Sequence, residues 1–136
     1  MHLENPARNF DIDASKYVPV YAYEFNDPNS PGILPPVSFP LLAAHTHEIQ
    51  YVWPGWKGVF PGQVAPFTNA QQNLSKDMIR AWGTFAEKGA PASSWPNFTQ
   101  ANNRWVSLQV GQSPVISNFG DDHKCSLWDS FRNPNV

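Results

Sequence analysis

Four consecutive residues, His45-Thr46-His47-Glu48, place two imidazoles two positions apart with a carboxylate directly behind them. Histidine is the side chain whose unperturbed pKa lies nearest neutrality. An imidazole on an exposed loop therefore suits a general base, which takes a proton from an attacking hydroxyl and returns it to a leaving group. The same residues also offer metal ligands: His45 and His47, with Glu48, His123 and Cys125 able to add donors. A metal-binding His-x-His strand is expected in a glycine-framed context with its glutamate several residues later. Here Glu48 follows at once and an apolar helical segment comes next, which argues against the metal site; residue type alone leaves His45 as a candidate base beside the more common role of an ordinary loop histidine.

The elements that must carry this histidine follow from local patterning. Val18 to Phe25 is rich in β-branched and aromatic residues and nearly continuous in apolarity, which predicts a strand buried on both faces. Pro19 fits only near its start. From Asn26 to Pro40 five prolines and a glycine forbid a regular element, and this long loop runs into His45. A short helix follows to about Trp53, stopped by Pro54. Asn69 to Lys88 is the clearest helix: Thr68 and Gln71 form a capping-box pattern, Leu74, Met78, Ala81, Trp82 and Phe85 share a face, and Gly89 and Pro91 end it. Arg104–Gln109 and Pro114–Phe119 predict an edge hairpin with its turn at Val110–Ser113. A last helix is expected from about Asp122 to Phe131, with Leu127, Trp128 and Phe131 able to pack. Residues 1–16 are polar and are expected to be poorly ordered.

Composition narrows the classes. Of 136 residues 41% are hydrophobic, with six Trp, nine Phe and four Tyr, which argues for a packed core rather than a disordered chain. A net charge of −2 without basic blocks points away from nucleic acid and anionic membrane surfaces as partners. No apolar run reaches transmembrane length, and Met1 to Phe10 shows no apolar secretory signal, so the compartment is left open. The single cysteine, Cys125, excludes an internal disulfide and reads as a buried thiol. The triplets Asn73-Leu74-Ser75 and Asn97-Phe98-Thr99 are acceptor sequons that matter only in a secreted protein.

Three segments, taken in order, carry a resemblance. The first is Val20-Tyr21-Ala22-Tyr23-Glu24-Phe25, the Pro-rich loop, and Ala43-Ala44-His45-Thr46-His47-Glu48-Ile49-Gln50-Tyr51-Val52-Trp53. The second is Leu74 to Pro91, followed by Trp95-Pro96. The third is His123-Lys124-Cys125-Ser126-Leu127-Trp128-Asp129. Together they resemble the C-terminal portion of the type-B carboxylesterases and cholinesterases, over about residues 17–131. The resemblance implies an α/β class: the last part of an α/β-hydrolase fold, with one core strand, the histidine loop, a long helix, an edge β-hairpin and a C-terminal helix. Residues 1–136 would then be one partial hydrolase domain.

It also implies roles. His45 takes the place of the catalytic base of a serine carboxylesterase, and Glu48 that of a supporting acid in the first turn of the next helix. Trp53, Trp56 and Phe60, just past the histidine, are candidates for an apolar substrate wall. His47 holds a variable position and reads as a surface or pocket-rim residue. No metal or organic cofactor is implied, and the substrate class is a small carboxylic ester. Leu42 departs from the family's glycine, which matters if that position requires a positive φ. The Gly-x-Ser-x-Gly nucleophile elbow has no counterpart: Gly111-Gln112-Ser113 lies after the histidine, in the predicted hairpin, with Val115 in place of the second glycine. Glu24 and Asp27 follow the predicted strand with no triad role assigned to either. The chain alone is therefore expected to be inactive, with the missing N-terminal part as its partner. The alternatives are a non-catalytic interaction module derived from a hydrolase, and a His-x-His metal-binding domain.

Overall fold

The computed structural model describes residues 6–32, 37–56 and 65–132. Its elements, in chain order, are α1 (Pro6–Ala14), β1 (Tyr23–Phe25), α2 (Ile49–Val52), α3 (Asn69–Lys88), β2 (Trp105–Leu108), β3 (Val115–Ile116), α4 (Phe119–Asp122) and α5 (Cys125–Arg132). The strands form one sheet in the order β1-β2-β3. β2 and β3 are antiparallel, with Trp105 opposite Ile116 and Val106 opposite Val115. The Val106 amide donates to the Ala22 carbonyl and the Asn26 amide to the Leu108 carbonyl. Both partners advance together, which is the parallel sense. The central strand β2 is buried at all four positions, as a strand paired on both sides should be. Among the described residues β1 and β3 are its two edges.

The chain divides into two compact units. The first comprises Met1–Tyr23, Trp95–Val106 and Val115–Val136. Its core is Ala22, Phe98, Trp105, Phe119 and Cys125, with Ile12, Val20 and Ile116 packed against it. Trp105 organises this cluster. Its ring stacks on Phe119 at 3.8 Å and meets the edge of Phe98 at 5.4 Å. Its indole N–H donates to Asn103 Oδ1 at 3.0 Å, so a large apolar body is buried without an orphaned donor. Ile12 belongs to α1, a helix in the segment whose polarity predicted little order; none of its residues is fully buried.

The second unit comprises Glu24–Ser94 and Ser107–Pro114. Here α2 packs on α3. The buried face of α3 is Gln71, Leu74, Ser75, Met78 and Ala81, spaced by three and four. Its start is the predicted capping box: the Gln71 amide donates to Thr68 Oγ1, and the Thr68 amide donates to Gln71 Oε1 at 2.9 Å. Its end is Gly89 at φ 72, a left-handed cap that donates to the Phe85 carbonyl. Thr68→Ala is expected to lower stability by about 1 kcal/mol. Urea unfolding followed by circular dichroism checks this.

Two elements differ from the reading of the sequence. The strand expected over Val18–Phe25 is regular only from Tyr23, because Val20 bridges antiparallel to Phe98 while Ala22 turns to β2. Tyr23 is exposed, so β1 is not buried on both faces. The C-terminal helix is two helices, α4 and α5, divided at Lys124, whose φ of 53 is incompatible with a continuing right-handed turn. Leu127, Trp128 and Phe131 on α5 are exposed rather than packed. Among the described residues no helix is long and apolar enough to cross a membrane.

Candidate active site

The loop that ends at His45 is held from beneath by a buried polar network, entirely within the second unit. Asp27, the first carboxylate after β1, is 1% exposed. Its Oδ1 accepts the Asn29 amide at 3.0 Å. Its Oδ2 accepts the Tyr51 hydroxyl at 2.6 Å and Gln71 Nε2 at 3.0 Å. Three donors converging on two oxygens fit an ionised carboxylate, whose buried charge needs such partners. Burial and then the bond to Asp27 push the Tyr51 phenol pKa upward, so Tyr51 stays a donor. Gln71 also donates to the Asn29 carbonyl at 2.9 Å, and Gln50 Nε2 donates to the Pro31 carbonyl at 2.7 Å. The first stretch of the Pro-rich loop is thus tied to both α2 and α3.

The Tyr51 ring lies 5.0 Å from Phe25 and 4.3 Å from Phe67, and its carbonyl accepts the Ser75 hydroxyl at 2.7 Å. Tyr51 therefore joins the apolar packing of α2 to the polar network. Of its members, Gln71 was given a structural role by the sequence, as a cap, and Asp27, Gln50 and Tyr51 were noted without their polar contacts. The inward positions 47, 50 and 51 have helical spacing, but His47 and Gln50 are polar, so no apolar pattern showed the face.

His45 stands at the tip of a turn and is exposed. The turn is made by two residues in the left-handed region, Leu42 at φ 54 and Thr46 at φ 75. It is closed by the His47 amide donating to the Ala44 carbonyl at 3.1 Å and the Ile49 amide donating to the Thr46 carbonyl at 3.2 Å. The concern raised by Leu42 is therefore realised: this position has a positive φ, and a leucine occupies it. The left-handed region costs a non-glycine residue about 1–2 kcal/mol, against an entropic penalty for glycine of about 0.5–1 kcal/mol. The Leu42 side chain is exposed and contributes little packing. Leu42→Gly is thus expected to raise stability by about 0.5–1 kcal/mol, seen as a higher urea midpoint with an unchanged slope.

Glu48 occupies the N-cap position of α2 rather than its first turn, and its side chain makes no cap bond. Its contribution there is limited to the charge it places beside the helix start. His47 is not at the surface: it is 1% exposed, with its ring folded under the turn so that Nδ1 meets the Leu42 carbonyl at 3.1 Å. Alternation of the two histidines across the turn sends one ring outward and the other inward. Trp53 is 67% exposed. Trp56 lines an open groove of about 640 Å³ together with Pro54, Phe67, Lys76 and Ile79, and neither Trp53 nor His45 is part of that lining. Phe60 lies outside the described residues. Ser113 sits in the β2–β3 turn, where its hydroxyl accepts the Gln109 amide. Among the described residues, no three His, Cys, Asp or Glu side chains gather where they could hold a metal ion. The arrangement offers one solvent-facing imidazole on a braced turn, able to relay a proton to whatever is placed before it.

A sequence model of the carboxylesterase family matches residues 1–128. Human cocaine esterase is 30% identical over 115 residues, covering 81% of this chain and 19% of that protein. Carboxylesterase 5A of Felis catus is 33% identical over 105 residues, covering 69% of this chain and 18% of that protein. Among solved structures, a thermophilic PNB esterase superposes with a TM-score of 0.71 at 25% identity, over 90% of this chain and 24% of its own. This chain spans less than a fifth of the length of the two sequence relatives. The fold is that of the α/β hydrolases, in part, as the resemblance implied.

Proposed function

The chain belongs to the carboxylesterase family, and on that premise we propose that it is the base-bearing C-terminal portion of a serine carboxylesterase. The observation that carries this reading is the exposed His45 on a turn that leads directly into α2, whose Gln50 and Tyr51 are anchored to Pro31 and Asp27. In the whole enzyme His45 removes the proton of a serine supplied by the N-terminal portion and hands it to the departing alcohol. Water then deacylates the acyl-serine with the same base. Glu48 supports the turn electrostatically. The substrate is a small carboxylic ester, with Trp53, Trp56 and Phe60 proposed as its apolar wall. Alone, the chain has a base without a nucleophile and turns over no ester by this mechanism.

The test is p-nitrophenyl acetate hydrolysis, first by the chain and its His45→Ala variant, then by a chimera. In the chimera this chain replaces the matching 24% of the PNB esterase. Equal background rates for the first pair and turnover by the chimera are expected. A folded chimera with no turnover rejects the reading. So does a chain whose own turnover disappears with His45, since that requires a nucleophile within it.

A second reading, a non-catalytic interaction module, is favoured by the exposed Leu127, Trp128 and Phe131 on α5. It predicts a chimera that folds and never turns over.

A further inference from the structure

His47 plays no part in the proton relay just described, yet it is among the most deeply buried side chains of the second unit. Its Nδ1 lies 3.1 Å from the Leu42 carbonyl oxygen. A carbonyl only accepts, so Nδ1 carries the proton, and the neutral ring is the Nδ1–H tautomer. Its Nε2 is buried and has no hydrogen-bond partner among the described residues. A ring placed only to fill space would need neither nitrogen, and an unpaired buried acceptor is destabilising. What the imidazole supplies is the single donor at Nδ1. That donor reaches back five residues and ties the two ends of the turn, Leu42 and His47, around the His45 between them. The tie acts on Leu42, whose φ of 54 is a conformation that leucine leaves readily when nothing holds it.

We propose that His47 is a positioning residue for His45: through its Nδ1–H bond to the Leu42 carbonyl it holds the left-handed turn that presents the base. This rests on the reading of His45 as the catalytic base. It goes beyond that reading by assigning the geometry of the base to the second histidine of the pair.

Side-chain lengths give a discriminating pair of variants. The amide nitrogen of asparagine stands as many bonds from Cβ as Nδ1, and that of glutamine as many as Nε2. His47→Asn therefore keeps a donor for Leu42, and His47→Gln moves it away. In the chimera, His47→Gln is expected to lower kcat roughly 10- to 100-fold with KM little changed, the effect of misplacing a catalytic group by about 1 Å. His47→Asn is expected to recover most of that loss. A residue acting only through packing would give no such split, since both replacements are smaller and more polar than the ring.

The chain itself, whatever its activity, supplies a second readout. Imidazole nitrogen NMR shifts should show His47 as the Nδ1–H tautomer, and the Leu42 and His45 backbone signals should move in His47→Gln but stay in place in His47→Asn. An Nε2–H tautomer, or equal impairment by Asn and Gln, overturns the proposal. A chimera inactive with His47 intact rejects the esterase reading instead, and the NMR comparison then decides the tether on its own.

Discussion

Replacing His45 by alanine in the chimera is expected to reduce kcat by roughly 10,000-fold or more, with KM changed little. The size follows from what the imidazole does in each half of the reaction. Without it, the serine must attack as a poorly ionised hydroxyl, and the alcohol must leave without a proton donor. Both steps lose the same group, and residual rate comes only from binding and oxyanion stabilisation, which reside elsewhere. Because His45 is exposed at the tip of its turn, its removal should leave folding untouched. Equal urea midpoints for the two proteins would show this. A kcat within tenfold of the parent would remove His45 from the mechanism.

The second large effect concerns stability. Asp27→Ala is expected to destabilise the chain by about 3–5 kcal/mol, because it strands buried donors rather than merely deleting a contact. The buried donors are the Tyr51 hydroxyl and Gln71 Nε2, which both point at the carboxylate that would be gone, while the amide of the exposed Asn29 turns to water. Each buried donor left unpaired is worth about 1–3 kcal/mol, and domains of this size have only about 5–15 kcal/mol in total. Tyr51→Phe removes one donor and leaves the carboxylate with two, so a smaller loss of about 1.5–3 kcal/mol is expected. Urea unfolding of the three proteins orders them: wild type, Tyr51→Phe, Asp27→Ala. An Asp27→Ala loss below about 1 kcal/mol would show that water replaces the carboxylate without penalty and that the network does not brace the loop.

The sequence revealed most where structure is decided locally. The limits of α3 were legible to the residue because both caps are short-range devices: Thr68 with Gln71 at one end, Gly89 at the other. The hairpin was legible for the same reason, although β2 proved to be a central strand, since pairing with β1 leaves no local mark. The division of the C-terminal helix at Lys124 was not legible, because a lysine carries no preference for a left-handed φ that the sequence could announce. The site was legible in its exposed part and hidden in its support. His45 stood out by type and context. Asp27, Gln50 and Gln71 are polar residues on inward positions, and their burial depends on partners 19 to 44 residues away. His47 was misplaced as well: its outward reading came from the variable position it holds in the resemblance, and its ring instead turns inward to a backbone carbonyl.

Cys125 is the chain's single thiol, and it is buried in the core of the first unit, beside Phe119 and Trp105. A thiol reagent therefore meets a reactive group only when that core opens. Labelling at increasing urea would count those openings one molecule at a time, without interference from any other cysteine. The Asp27 and Tyr51 variants perturb the second unit alone. If their labelling rates rise in step with their loss of global stability, the two units open together; if the rates stay level, each unit opens on its own. One buried sulfur thus makes the cooperativity of this chain a directly measurable quantity.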